Sequence, residues 1–379
     1  MAYYGKHLQG RRHPVVRAVA VSTVMVLLAL GCSGYLVYRH LEGNVTVSNA
    51  FDQITGPRPD REAVSGPKEP LNVLVLGNDS RAGQKAVAGS TPGLSDTTIL
   101  LHLSADRKRA YGVSVPRDLM VERPACTDKH SGDRVPAQDA VQWNDAFAVG
   151  GESCTIQQFE HMTGVRVDHF LVVDFAGFKN MVDALGGVPV CLPQEVNDPI
   201  GRIYLPAGSY TVKGEQALDY VRVRHSIGTT DTGDIGRMKR QQTFLAAMAN
   251  KALAAGTLFN PKRLYDFLNA ATKSLTTDRG LHKLTEMASL ANQVKGIGLK
   301  RVQFLSMPFE AYEPDPNRLQ AAPDAKQLWR LLRADKPLPK KFTGNAAKAS
   351  DQTPKPGQTP SPSKDPTRAA EAARAGLCA

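Results

Sequence analysis

No pair of the five cysteines forms a CxxC unit. Paired units of that kind are how a chain gathers structural zinc, so a zinc fold is set aside. Nor does any segment repeat, which excludes solenoid and propeller architectures. Acids are missing from the whole start of the chain: up to His40 there are five basic residues (Lys6, Arg11, Arg12, Arg17, Arg39) and no Asp or Glu. Charge of either sign is missing from Ala18 to Tyr38, AVAVSTVMVLLALGCSGYLVY. That meets the roughly 20 apolar residues needed to cross a bilayer.

What is present fits an exported globular protein. The formal net charge is +11, but the ends up to His40 and from Lys340 carry +5 and +4 of it, leaving +2 between. A nearly neutral middle excludes a DNA-wrapping surface, so no nucleic-acid partner is expected. The basic residues before the apolar run predict a cytoplasmic N-terminus at 1–17, a transmembrane helix at 18–38 and an extracellular remainder. The competing reading is a cleaved signal peptide. Gly31-Cys32 resembles a lipoprotein cleavage site, but Ala29 fits that box poorly and the apolar run continues past Cys32. Export places Cys126, Cys154, Cys191 and Cys378 in an oxidising compartment, where a Cys126–Cys154 disulfide would pin the loop-rich stretch between them.

Residues 39–69 are rich in Gly, Pro and charge without periodicity, which predicts a stalk. From 337 to 379 Pro, Ala, Lys and Ser dominate, which predicts a disordered tail. Between them, LNVLVLG (71–77), TTILLHLS (97–104), RAYGVSV (109–115), HFLVVDF (169–175), VPVCL (188–192) and RVQFLSM (301–307) read as short strands. Apolar residues recur at helical spacing in CTIQQFEHMTG, AGFKNMVDALGG, QQTFLAAMANKALA, PKRLYDFLNAATKSL, LHKLTEMASLANQV and DAKQLWRLLRAD. The alternation predicts an α/β domain over 70–336, with helices covering a sheet.

Charged residues cluster at the ends of these strands. The first runs into GNDSRAG and the second begins in GLSDTT, so Asp79 and Asp96 stand at adjacent strand mouths. Two such carboxylates suit a divalent cation through oxygen ligands; aspartates before strands are equally often loop caps. The third strand ends in SVPRDL, which puts Arg117 at the same edge if strands one and three are parallel. A salt bridge to Asp118 or to one of those aspartates is the plain alternative. YVRVRHS places Arg222 and Arg224 two apart, on one face of an extended segment. In DTGDIGRMKRQQ, Asp234 is a helix N-cap candidate, and Arg237, Arg240 and Gln241 follow on one helical face. Arginines converging without matching acids need an anion, and the guanidinium fork suits phosphate oxygens.

Taken in order, VLGNDSR, SDTT, VPRDL, WNDAFAVGGE, VDHFLVVDFAGFKNMVDALGGVPVCL, LPAGSYTVKGEQALDYVRVR and DIGRMKRQQ resemble the LytR-CpsA-Psr (LCP) proteins, bacterial wall-polymer ligases, in an actinobacterial style. The resemblance implies an LCP-type α-β-α fold, a single mixed β-sheet with helices on both faces. It implies a membrane-anchored phosphotransferase that moves a glycopolymer from a polyprenyl-pyrophosphate carrier to a peptidoglycan hydroxyl and releases polyprenyl phosphate. Asp79 and Asp96 then correspond to a Mg2+ (or Mn2+) pair. Arg117, Arg222, Arg224 and Arg240 correspond to the catalytic pyrophosphate clamp, with Arg81, Arg237 and Gln241 binding substrate beside them. A prenyl chain would lie among FLVVDFAGFKNMV and FLAAMANKAL. Two positions depart from the family pattern: Leu94 stands where an arginine is usual, and Gln142-Trp143-Asn144 replaces a Lys-Ile-Asn loop. Alternatives are a polyprenyl-pyrophosphate hydrolase, a wall scaffold, or a transcriptional attenuator. The last conflicts with the roughly seventeen residues before the membrane, too few for a DNA-binding domain.

Overall fold

Strand segments with near-continuous apolar runs need cover on both faces, and the computed structural model, which describes residues 14–78, 95–199, 202–223, 234–348 and 378, provides it. Eight strands form one mixed sheet: β1 (Thr46–Val47), β2 (Leu71–Asn78), β3 (Ser95–Leu103), β4 (Ala110–Val115), β5 (His169–Asp174), β6 (Leu275–Thr277), β7 (Val302–Ser306) and β8 (Ala347–Lys348). They lie in the order β1-β6-β5-β2-β3-β4-β7-β8. β3 is antiparallel to both β2 and β4, while β2 runs parallel to β5 and β4 parallel to β7. The C-terminal ends of β2, β4, β5 and β7 therefore share one edge with the start of β3, the edge where open α/β sheets bind ligands.

The longer helices are α1 (Pro14–Gly43), α2 (Asp145–Thr163), α3 (Phe175–Ala184), α4 (Gly214–Arg222), α5 (Asp234–Leu253), α6 (Pro261–Ser274), α7 (Leu284–Ile297) and α8 (Asp324–Arg333). On one face of the sheet, Phe147, Ile156 and Phe159 of α2 and Leu328, Trp329 and Leu332 of α8 pack on Leu74, Leu76, Leu100 and Val113. On the other face, Leu245 and Ala246 of α5 and Val294 and Ile297 of α7 pack on Leu103, Ala110 and Phe304. A third cluster gathers α3, α4 and the hairpin Val188–Leu192/Gly208–Val212 around Phe244 and Ala247 of α5. α3 lies so close to α6 that a Cβ at Gly177 would fall 1.9 Å from the Ser274 side chain. Glycine there sets the position of the whole α3 turn.

Two expected boundaries move. Residues 44–69 are not a free stalk: Ala50 is buried, Phe51 meets Phe170 edge-to-face at 5.4 Å, and β1 pairs with β6. Arg58 also forks onto Glu160, with contacts of 2.9 and 2.6 Å. Three apolar side chains and a bidentate ion pair outweigh the Gly and Pro content that reads as linker. The domain also continues past residue 336. Leu338 and Ala346 are buried, and β8 pairs antiparallel with β7. Residues 349–377 lie outside the described ones. α1 contains a span, Val15–Gly43, long and apolar enough to cross a membrane, with a mean hydropathy of 2.2. Its last turn joins the domain through buried Leu41, followed by Asn44, whose amide donates to Asn269 at 3.2 Å. α2 starts nine residues before the expected Cys154, and Gly150 and Gly151 break its dihedrals.

Cys126 and Cys154 form the expected disulfide, and Cys191 pairs with Cys378. Non-reducing peptide mapping is expected to recover both cross-linked pairs, and Cys126→Ser with Cys154→Ser to cost roughly 2–4 kcal/mol of stability in denaturant titration. At the opposite edge of the sheet from the strand mouths, His169 Nδ1 lies 2.9 Å from Asp278 Oδ2. The hydrogen bond to Asp278 raises the His169 pKa against the opposing effect of burial. Burial alone would raise Asp278, but the bond from His169 and those from the Gly280 and Phe170 amides hold it below the usual carboxylate value. A raised histidine stabilises fully below about pH 6.5 and loses its contribution as pH climbs through the raised value; a lowered aspartate stabilises above about pH 4 and loses its contribution as pH falls through the lowered value. The pair is therefore strongest between about pH 4 and 6.5. Asp278→Asn should bring the His169 NMR titration midpoint down, and an unchanged midpoint would contradict the coupling.

Candidate functional site

β3 opens with Ser95 and Asp96, and β4 closes at Val115 before Pro116. Because β2 and β4 both run antiparallel to β3, Arg117 leaves the sheet beside Asp96, as expected for parallel first and third strands. Arg117 Nη1 donates to Asp96 Oδ1 at 2.9 Å, and its Nε donates to Asp118 Oδ2 at 3.2 Å. The salt bridges of the plain alternative thus exist, at the same edge as the other arginines. Arg237 reaches the same point from α5, its Nη2 donating to the Asp96 carbonyl at 3.4 Å.

The segment YVR is helical, not extended. α4 runs to Arg222 because Ala217, Leu218, Tyr220 and Val221 bury one face of it, and this burial overrides the β preference of Val221. Among the described residues of this segment, Val223 leaves the helix, with φ −54° and ψ 131°. Arg222 lies over the Phe175 ring, 4.0 Å from its centroid, where β5 ends and α3 begins. Asp174 caps α3 there, accepting from the Gly177 amide at 2.6 Å. α5 begins at Asp234, as expected for a helix start. Its first turns grip the end of α4: Arg240 Nη2 donates to the Val223 carbonyl at 2.5 Å, and Gln241 Nε2 donates to the Val221 carbonyl at 3.2 Å. Arg237 and Arg240 are only 3% and 2% exposed. Burial pushes the Tyr220 phenol far up against the pull of Arg240, so it stays protonated. One turn on, Gln242 bridges the ends of β4 and β7 through the Ser114 and Ser306 hydroxyls at 3.1 and 2.8 Å.

Arg117, Arg237 and Asp96 thus meet directly, and Arg222, Arg240 and Gln241 meet at the α4 terminus, with α5 joining the two groups. Asp79, Arg81 and Arg224 lie outside the described residues. Phe175, Phe178, Val182, Phe244, Ala247 and Met248, from both stretches expected to hold a prenyl chain, fall in the third apolar cluster.

One side chain belongs here that the motifs did not mark. Arg318, in the hairpin Phe309–Tyr312/Asp315–Ala321, donates from Nη1 to Asp118 Oδ1 at 3.2 Å. With the Gln142 amide oxygen turned towards it, Arg318 also donates from Nη2 and Nε at 2.8 and 3.0 Å. Gln142 leads into Trp143, whose indole donates to Thr98 at 2.9 Å and fixes this loop beside β3. Nothing in DPNRLQ distinguishes Arg318 from a surface arginine; only the fold brings it in.

Among the described residues no three His, Cys, Asp or Glu come together as a metal cluster. One or two carboxylates with water and phosphate oxygens completing the shell is the magnesium habit, and the Asp96 carboxylate at the strand mouth is a donor of the type that cation takes. Chemically, the arrangement can hold an anion of two or more charges while water is largely excluded from two of its guanidiniums.

The chain is similar to bacterial cell wall proteins. "Cell wall biosynthesis protein LcpA" of Corynebacterium glutamicum is 30% identical over 329 residues, covering 78% of this chain and 60% of LcpA. The "Probable cell wall biosynthesis protein LcpB" of the same organism is 33% identical over 233 residues, 59% of this chain and 52% of LcpB. The chain thus spans 60% and 52% of the length of these two relatives. The polyisoprenyl-teichoic acid–peptidoglycan teichoic acid transferase TagV of Bacillus subtilis is 26% identical over 325 residues, 84% of this chain and 77% of TagV. The fold matches a LytR-Csp2A-Psr enzyme from Actinomyces oris at a TM-score of 0.55 and 20% identity, over 73% of this chain and 96% of that one. It matches TagT bound to LI-WTA at 0.53 and 22%, over 77% and 98%. The sequence model of the LytR_cpsA_psr family covers residues 37–333, from the last turn of α1 to the end of α8, and the chain belongs to that family.

Proposed function

We propose that the protein is a membrane-anchored phosphotransferase that moves a glycopolymer from a polyprenyl-pyrophosphate carrier onto a peptidoglycan hydroxyl. The carrying observation is the convergence of Arg117 and Arg237 on Asp96, with Arg222 and Arg240 one helix end away. Relatives named as teichoic acid–peptidoglycan transferases and cell wall biosynthesis proteins support the reading. The single apolar helix α1 supports an anchor, with the basic N-terminus cytoplasmic and the domain outside.

In this mechanism the acceptor hydroxyl oxygen bonds to the phosphorus that carries the glycopolymer. The bond from that phosphorus to the bridging oxygen breaks, its electron pair leaves with the polyprenyl phosphate, and the hydroxyl proton passes to water. Negative charge spreads over the phosphoryl oxygens in the transition state, and fixed guanidinium groups stabilise it without reorganising. Arg117, held at Nε by Asp118, orients its remaining fork toward the strand mouth. Arg222 keeps its plane on Phe175, which limits its rotation. A Mg2+ or Mn2+ bound by Asp96 with Asp79 would neutralise the diphosphate oxygens. The third apolar cluster, beside Arg222, is the place for the prenyl chain, so the headgroup reaches the arginines while the tail stays out of water.

The test is turnover of a polyprenyl-pyrophosphate sugar by the full chain, with magnesium and with chelator. Release of polyprenyl phosphate only with metal and only with a peptidoglycan acceptor is expected; release without acceptor would mean a hydrolase, and binding without turnover a scaffold. Arg222→Ala should lower turnover by about 100-fold or more with little change in melting temperature. Arg240→Ala should lower both, because its buried guanidinium also caps α4, a loss of about 1–3 kcal/mol. Retained turnover with a large loss of stability in Arg222→Ala would mark a structural cation instead.

A further inference from the structure

Asp118 serves two cations at once. Its Oδ2 accepts from Arg117 Nε and its Oδ1 from Arg318 Nη1, both at 3.2 Å, so each oxygen faces a different guanidinium. Arg117 in turn spends Nη1 on Asp96. The result is an ordered row, Asp96–Arg117–Asp118–Arg318, running from the strand mouth to the outer hairpin. Arg318 is fixed at its far end by Gln142 and, at 3.7 Å, by Asp315. The backbone reinforces the join: the Leu319 amide donates to the Asp118 carbonyl at 3.2 Å, and Leu119 bridges Leu319. Three chain segments far apart in sequence therefore meet at one half-exposed guanidinium.

From this we infer that Arg318 is a positioning residue for the anion site: by holding one oxygen of Asp118, it keeps that carboxylate from turning both oxygens onto Arg117. The inference rests on the pyrophosphate reading above. A carboxylate presented with one arginine adopts the bidentate fork, which takes two N–H groups of that arginine. Shared between two arginines, Asp118 meets Arg117 through Nε, while Nη1 of Arg117 is directed at Asp96 and the strand mouth. Arg318 also balances charge, since without it two carboxylates would face a single guanidinium in the row. Lysine would keep the charge but reach Asp118 or Gln142 with one point donor rather than a fork.

The test uses the full chain in detergent micelles, with two readouts. The first is the Arg117 Nε–H signal in nitrogen-edited NMR, without ligand; the second is calorimetric titration with inorganic pyrophosphate and magnesium. Arg318→Ala is expected to shift and broaden the Arg117 signal and to weaken pyrophosphate binding about tenfold, the size of one charged hydrogen bond. Arg318→Lys should recover part of both, with melting temperatures of the two variants alike. Asp118→Asn separates position from charge: it removes a negative group, so a purely electrostatic role predicts tighter binding, whereas loss of positioning predicts weaker binding. An unmoved Arg117 signal in Arg318→Ala, or tighter binding in Asp118→Asn, overturns the role of Arg318 while leaving the anion site intact. No pyrophosphate binding by the unsubstituted chain overturns the pyrophosphate reading and this inference with it.

Discussion

A guanidinium taken out of water must be surrounded by acceptors, and this domain takes two out at the first turns of one helix. Arg237 and Arg240 are almost wholly buried, and among the groups that receive them are backbone carbonyls at Asp96 and Val223. That requirement fixes where β3 starts, where α4 stops and how α5 enters the core. Gln242, one turn on, ties α5 to β4 and β7 through Ser114 and Ser306. The concentration of fixed charge at the sheet edge is thus built into the packing.

The sequence reported the periodic parts of this fold well. β2, β3, β4, β5 and β7 lie within a few residues of where the apolar runs place them, because both faces of the sheet are buried and the pattern has little freedom, whereas α2 starts nine residues early. Non-local contacts decided the rest. Residues 44–69 look like linker until Phe51 finds Phe170 and Arg58 finds Glu160, partners about a hundred positions away. Val221 and Val223 suggest extension, and burial of Leu218 and Tyr220 makes the first of them helical. At the site, Asp96, Arg117 and Arg237 were legible as motif residues, while Arg318 acquires its place only from the docking of a hairpin.

Arg117 and Arg240 also show why a functional and a structural reading of one arginine need not compete. Arg117 forms the salt bridges with Asp96 and Asp118 expected of a structural cation, and those bridges orient it at the strand mouth. Arg240 terminates a helix, where a cation is favoured by the dipole, and by doing so holds positive charge beside Arg222. Preorganisation is made from the same bonds that hold the fold, so the phosphate proposed for this site would meet donors already oriented.

The join between α1 and the domain carries a geometric consequence. Leu41 is buried and Asn44 is bonded to Asn269, so the chain reaches the domain surface within a turn of leaving the apolar helix. A flexible tether would let the domain sample heights that grow with its length. Here the join is short, so with α1 in a bilayer, as proposed, the height of the strand mouth above it would be set by the shape of the domain. On the proposed function, a lipid-borne substrate would be met at a constant level by lateral diffusion in the plane, and an acceptor from the far side would have to come down to that level.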